Sequence, residues 1–176
     1  MTLACPPGDT VRPTLDLVRG SIFNILGQRF SNITVLDLFA GTGALGLEAL
    51  SRGATHATFV EINEAVTQTL SKNIEKCKLS PQSTLMSCDV DIALKRLGRG
   101  QITFDFIFID PPYEYSRIGK IMNHIVEQKI LKPTGIVILE HHRKEPVNDT
   151  FGDLRRVDVR SFGNTMISFF KYEDVV

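Results

Sequence analysis

The sequence predicts a single α/β domain of the Rossmann-like kind, built on a mostly parallel seven-stranded sheet with helices on both faces. Three observations lead there. Short β-branched or aromatic runs alternate with helical ones through most of the 176 residues. A glycine-rich loop follows directly on the first of those runs. The last two runs are joined by a turn signal, so the chain closes on a hairpin whose final strand is antiparallel.

The first element is a helix at about 14–27, because Leu15, Val18, Ile22, Ile25 and Leu26 fall at helical spacing. Strands are expected at Ile33–Phe39, Ala57–Glu61, Ser83–Ser87, Phe104–Ile109 and Gly135–Glu140. Each is short and rich in branched or aromatic side chains, as strands buried on both faces are. Helices are expected between them at Ala44–Arg52, Glu64–Lys78, Asp91–Leu97 and Ser116–Glu127, with Asn63 capping the second. Pro81 and Pro133 are expected in loops. The closing hairpin pairs Arg155–Arg160 with Thr165–Lys171 through Ser161-Phe162-Gly163-Asn164. With no repeat and no linker, residues 1–176 are expected to form one domain.

Composition narrows the function classes. Hydrophobic residues make up 43% of the chain, which suits a folded core, yet no apolar stretch approaches the ~18 residues of a membrane span. The N-terminus lacks the charged and apolar regions of a secretory signal. Cys5, Cys77 and Cys88 have no C-x-x-C spacing, so neither a disulfide frame nor a zinc site is expected, and a cytoplasmic location is. His141 and His142 lack further ligands, so no metal is expected. Twenty basic and 20 acidic residues cancel. That balance counts against a dedicated nucleic-acid binder, which normally carries a basic excess.

Val35-Leu36-Asp37-Leu38-Phe39-Ala40 runs into Gly41, Gly43 and Gly46, a G-x-G-x-x-G pattern at the start of a helix. Glycines there let backbone approach a ligand closely, and the helix N-terminus favours negative charge. Glu61 ends the next strand about twenty residues on, where a carboxylate accepts two ribose hydroxyls. The same spacing fits a dinucleotide enzyme. Asp37 separates the two cases: a carboxylate four residues before the first glycine repels a pyrophosphate but suits the cationic amino group of a methionine moiety. Asp89, after the third strand, can accept from an adenine amine or cap the following helix.

The second motif ends the fourth strand as Asp110-Pro111-Pro112-Tyr113. A buried strand delivering a carboxylate into a cleft is costly unless the carboxylate has a task. Two prolines stiffen the turn and leave carbonyls free to accept. Asp110 and the Pro111 carbonyl can each take one N–H of an exocyclic base amine, aiming its lone pair at an electrophilic methyl group. Tyr113 would stack on the base, worth about 1–3 kcal/mol. The two motifs together suggest methyl transfer from S-adenosylmethionine to such an amine. Further basic groups lie near the strand ends: Lys95, Arg96, Arg99, Arg117, Lys120, Arg143 and Lys144. A DNA adenine-N6 or cytosine-N4 methyltransferase uses the same corner, and a nucleotide- or RNA-binding protein without catalysis is the alternative from another class.

At this point the chain resembles class I methyltransferases, and within them the RsmD family. The resemblance rests on Arg12-Pro13-Thr14 with Val18-Arg19 and Phe23-Asn24; on Val35–Ser51 followed by Arg52-Gly53-Ala54; on Glu61, Asn73 and Asp110–Tyr113; and on Gly163-Asn164-Thr165. It implies methylation of the exocyclic N2 of a guanine in bacterial small-subunit (16S) ribosomal RNA, naked or in an assembling subunit, by a monomer. By this resemblance Asp37, Phe39, Ala40, Gly41, Gly43, Gly46, Glu61, Ile62, Asp89 and Val90 would bind S-adenosylmethionine. Asp110, Pro111, Pro112 and Tyr113 would hold the guanine, and Arg12, Pro13, Thr14, Arg19 and Arg117 would contact RNA. The family usually carries a basic hairpin ahead of Arg-Pro-Thr; the eleven residues before Arg12 hold no Lys or Arg, so that hairpin is expected to be absent. Gly20 stands where the family commonly has Glu, and a mid-helix glycine costs about 1 kcal/mol.

Overall fold

The computed structural model describes residues 13–112 and 115–173, with the side chains of residues 13–15 left aside. Arg12 and Tyr113 therefore lie outside the described residues, as do the side chains of Pro13 and Thr14. Elements run in the order α1 (Pro13–Leu26), β1 (Thr34–Leu38), α2 (Ala44–Ser51), β2 (His56–Val60), α3 (Glu64–Lys76), a 3-10 turn (Ser80–Gln82), β3 (Ser83–Met86), α4 (Val90–Arg99), β4 (Phe104–Ile109), α5 (Ile118–Glu127), β5 (Leu131–His142), β6 (Thr150–Phe151), β7 (Leu154–Phe162) and β8 (Thr165–Tyr172).

The strands form one sheet in the order β3-β2-β1-β4-β5-β8-β7-β6. The pairs β1–β2, β1–β4, β2–β3 and β4–β5 are parallel. β8 is antiparallel to both β5 and β7, as the closing hairpin requires. The seven anticipated strands are present, and β6 adds an eighth at the edge. Its two residues are too few to show any period, and it forms because Phe151 buries its ring against Phe170, 5.7 Å away.

Both faces of the sheet are covered. Val18, Ile22 and Phe23 of α1, Leu47 and Leu50 of α2, and Leu70 and Ile74 of α3 pack on Val35, Phe59, Phe106, Phe108 and Ile138. On the other face Ala93, Leu94 and Leu97 of α4 and Ile121, Met122 and Ile125 of α5 pack on Leu36, Leu38, Val60, Ile107, Ile109 and Leu139. Central strands therefore bury consecutive residues, which is why they read as apolar runs without alternation.

Local chemistry sets the helix starts. The Asn63 carboxamide accepts from Ala65 N at 3.0 Å and Val66 N at 3.2 Å, capping α3. Asp89 does the same for α4, accepting from Asp91 N at 2.8 Å. One expectation is corrected: Pro133 lies inside β5, which begins at Leu131 rather than at Gly135. The register explains the tolerance. Phe104 pairs with Leu131 but Phe106 pairs with Ile136, so residues between them bulge, and a proline there gives up no ladder bond. Pro81 sits in the 3-10 turn.

Candidate active site

Register and alternation assemble the site. Asp37 of β1 pairs with Phe59 on one side and Phe108 on the other. Leu38 pairs with Ile109, and Ile109 with Leu139. Asp110, one step past β4, therefore lies beside Glu140 of β5, while Glu61 follows β2 on the far side of β1. Side chains alternate along a strand. Val35, Phe106, Phe108 and Ile138 face α1–α3, so Asp37, Asp110 and Glu140 share that face at the carboxyl edge of the sheet. In open α/β sheets this edge is where ligands bind.

The loop after β1 is bent by left-handed backbone. Phe39 has φ 60°, Gly41 φ 54° and Gly43 φ 86°; such a conformation costs a non-glycine residue about 1–2 kcal/mol. The bend is held by Ala40 N donating to Val60 O at 2.9 Å and Gly43 N to Ala40 O at 2.8 Å. Glu61 accepts from Gly41 N at 3.0 Å through one oxygen and from Asn63 N at 2.9 Å through the other. Fully buried Asn73 donates to Thr42 O at 3.0 Å and props the loop from α3. Gly46 cannot carry a side chain, because a Cβ there would lie 2.3 Å from Phe59 Cε1. Its N–H donates to Asp37 Oδ2 at 2.9 Å.

Electrostatics mark the same residues. Asp37 is 2% exposed. Burial pushes its carboxyl up to about 8, against the Gly46 hydrogen bond and with help from the charges of Asp110 and Glu61. Burial also raises Asp110 above the ordinary carboxyl range. Glu140 is raised by burial first and then by the Asp110 charge. A buried acid held this way is matched to an arriving cation. This is the structural ground on which S-adenosylmethionine fits: a cradle that a Cβ would fill, beside a buried carboxylate with a single N–H donor among the described residues.

The remaining expected residues among those described, apart from Arg19 in α1, follow the carboxyl ends of β2, β3 and β4. Ile62, next to Glu61, is 63% exposed. Val90 is buried as the first residue of α4. Asp89, having capped α4 with one oxygen, meets Arg117 at 3.5 Å with the other. Arg117 also reaches Asp91 at 3.4 Å, and Lys120 and His124 approach the same carboxylate at 2.5 and 3.1 Å. The Arg117 guanidinium lies over the Tyr115 ring at 5.1 Å, and Tyr115 meets Phe39 edge-on at 5.0 Å. Arg19 pairs with Asp16 at 2.8 Å within α1. Pro111 and Pro112 continue the chain from Asp110 outside any helix or strand.

Sequence reasoning missed two residues here. Tyr115 carries only a weak signal, a second tyrosine two positions after Tyr113. Glu140 carries a better one: like Asp110, it is an acid closing an apolar run. A cavity of about 430 Å³ lined by Thr34, His56, Thr58, Thr84 and Arg96 opens at the opposite, amino edge of the sheet and holds none of the four carboxylates.

The fold is that of the S-adenosylmethionine-dependent methyltransferases, solved examples of which share it. A family model described as Conserved hypothetical protein 95 matches residues 1–171. The chain belongs to that family, the RsmD family. YlbH of Bacillus subtilis is 35% identical over 170 residues, covering 97% of this chain and 92% of its own. Ribosomal RNA small subunit methyltransferase D of Escherichia coli is 34% identical over 138 residues, covering 78% of this chain and 68% of its own. The solved structure of a conserved hypothetical protein of Streptococcus pyogenes superposes with a TM-score of 0.82 at 30% identity, covering 88% of this chain and 95% of that one.

Proposed function

We propose that this protein transfers the methyl group of S-adenosylmethionine to the exocyclic N2 amine of a guanine in small-subunit ribosomal RNA. The observation that carries the proposal is the row of Asp37, Asp110 and Glu140 on one face of the carboxyl edge, next to the glycine cradle. Relatives named as ribosomal RNA small subunit methyltransferase D support the RNA class. The choice of guanine N2 rests on the family resemblance.

Asp37 would receive the cofactor's ammonium group and Glu61 its ribose hydroxyls, with Phe39, Ala40, Gly41, Gly43, Ile62, Asp89 and Val90 forming the walls. When bound, S-adenosylmethionine supplies an electrophilic methyl group. Asp110 and the Pro111 carbonyl would each accept one N–H of the base amine, which points the nitrogen lone pair and favours the charge that develops there. Asp110 then takes up the proton that the methylated nitrogen sheds. Pro112 would stiffen the turn, Tyr113 would stack on the base, and Arg12, Pro13, Thr14, Arg19 and Arg117 would contact the RNA.

The test is transfer of a radiolabelled methyl group to small subunits and to naked ribosomal RNA from cells lacking the endogenous enzyme, followed by nuclease digestion. Label is expected on N2-methylguanine. Asp110→Ala should abolish transfer and leave S-adenosylhomocysteine binding, read by calorimetry, largely intact. Label on adenine would overturn the guanine assignment, and an active Asp110→Ala would overturn the corner.

A further inference from the structure

Glu140 belongs to the row of acids but has no chemical task in the proposed reaction, yet it lies beside Asp110. Parallel pairing of Ile109 with Leu139 sets Asp110 and Glu140 side by side on neighbouring strand ends. Each stands two positions after a residue of the α1–α3 face, Phe108 and Ile138, so by alternation their side chains leave the sheet on that same side. On the opposite flank Glu140 pairs with Ile167 of β8, between Met166 and Ser168, none of them charged. α1 covers this face through Val18, Ile22 and Phe23, and its charged groups, Asp16 and Arg19, pair with each other. Along the row the other acids are Asp37 and Glu61, beyond Asp110. On its own strand Glu140 is followed by His141, whose imidazole is turned to Ser168 Oγ at 2.9 Å, and by His142. Among the described residues no cation and no N–H donor meets the Glu140 carboxyl, and Asp110 is the one charge that acts on it.

Two adjacent half-buried carboxyls without a cation cannot both be ionised cheaply; the stable arrangement keeps one proton between them. We infer that Glu140 is a positioning residue for methyl transfer: its protonated carboxyl donates to the Asp110 carboxylate and holds that group as an oriented anion for the base amine. Burial raises both groups, and the charge of one opposes ionisation of the other, so the pair holds on to one proton through the range in which an isolated carboxyl would lose it. The arrangement leaves one Asp110 oxygen for the amine and pins the other.

This inference rests on the proposed methyl transfer for its purpose, but the shared proton is measurable without it. The direct test is a carbon-13 NMR titration of the side-chain carboxyls in the cofactor-free protein. The Asp110 signal is expected to move in two steps in the wild type, one for its own ionisation and one for that of Glu140, and in a single step in Glu140→Gln. A single Asp110 step in the wild type, unchanged in the variant, overturns the pairing. The second readout is kcat against pH at saturating cofactor and RNA. The wild type should lose rate on the acid side, as Asp110 is protonated, and on the alkaline side, as Glu140 ionises. Glu140→Gln, which keeps a donor, should lose only the alkaline limb, with kcat at pH 7 down less than about threefold. Glu140→Leu, which has none, should lose tenfold or more at every pH. An alkaline limb retained in Glu140→Gln overturns the positioning role even if the NMR shows sharing. A wild type that transfers to no RNA would sink the function proposed above, and the titration alone would then decide the shared proton.

Discussion

The same substitution, glycine to alanine, should act in opposite directions at two helical positions. Gly46 lies in the first turn of α2 and Gly20 in the middle of α1. Each change removes backbone freedom from the unfolded chain and gains about 1 kcal/mol of helix propensity. At Gly20 nothing lies within 4 Å of the added Cβ, so the gain stands. At Gly46 the Cβ would sit 2.3 Å from Phe59 Cε1, 2.8 Å from Cζ and 3.1 Å from Asp37 Oδ2. Phe59 is fully buried and stiff, so its ring cannot swing away. Overpacking costs roughly 1–3 kcal/mol, and displacing the Gly46 N–H from Asp37 costs about 1 kcal/mol more. The balance is a loss of about 1–3 kcal/mol. For a domain of this size 1 kcal/mol moves Tm by about 2–4 °C. Calorimetric melting should therefore show Gly20→Ala up by about 2–4 °C and Gly46→Ala down by roughly 2–12 °C, with S-adenosylhomocysteine binding weakened in Gly46→Ala alone. Gly46→Ala melting at or above the wild type would refute the claim that close packing of Gly46 on Phe59 builds the cradle.

Asp37 gives a pH test. Its carboxyl is held at about 8 in the free protein by burial. Below that it must shed a proton to receive an ammonium group, so affinity for S-adenosylhomocysteine should rise between pH 6 and 8 by up to about tenfold per unit. Asp37→Asn should bind weakly with a flat profile, and a flat profile in the wild type would contradict the assignment. The linkage to stability has the opposite sign. A raised folded value means the group's contribution is present below its unfolded value and lost as pH rises through about 8, so Asp37→Asn should gain Tm on the wild type at pH 9 and little at pH 5. At the other edge of the sheet, Asp105 accepts from Thr34 N and Lys132 Nζ, each at 2.7 Å. Burial pushes Asp105 up, but the Lys132 and Thr34 hydrogen bonds outweigh it and hold the carboxyl below its usual range. Asp105→Asn should cost about 1–3 kcal/mol at pH 7 in urea unfolding, a gap that closes as pH falls through the carboxyl range. An undiminished gap at pH 3 would show that the charge is irrelevant. Asn63→Ala should cost about 1 kcal/mol through loss of the α3 cap, and an unchanged urea midpoint would rule that cap out as a stabilising contact.

The elements that were legible carry their cause within a few residues. Buried central strands appear as apolar runs because both of their faces are covered. Asn63 announced the start of α3, and a cap on α4 was one of two roles open to Asp89, because a cap acts on N–H groups two or three positions ahead. The closing hairpin showed in Gly163-Asn164, the two residues between β7 and β8, where Gly163 adopts φ 62°. β6 was not legible, because two residues form a strand only when Phe151 finds its pocket. The start of β5 was misjudged at Pro133 because the bulge that accommodates a proline belongs to the pairing with β4.

By itself the sequence determined the fold class, the glycine bend and the strand-end acids Asp37, Glu61 and Asp110. Each of these is a matter of local order: an apolar run, then a turn, then a helix. Only the tertiary structure decided which acids are neighbours. Asp110 and Glu140 are thirty positions apart in the chain and adjacent in the sheet because β4 and β5 pair in parallel through Ile109 and Leu139. Arg117 likewise meets Asp89 and Asp91 only because α5 lies against α4. Register and helix docking follow from burying two apolar faces at once, a global condition that no short window of residues expresses.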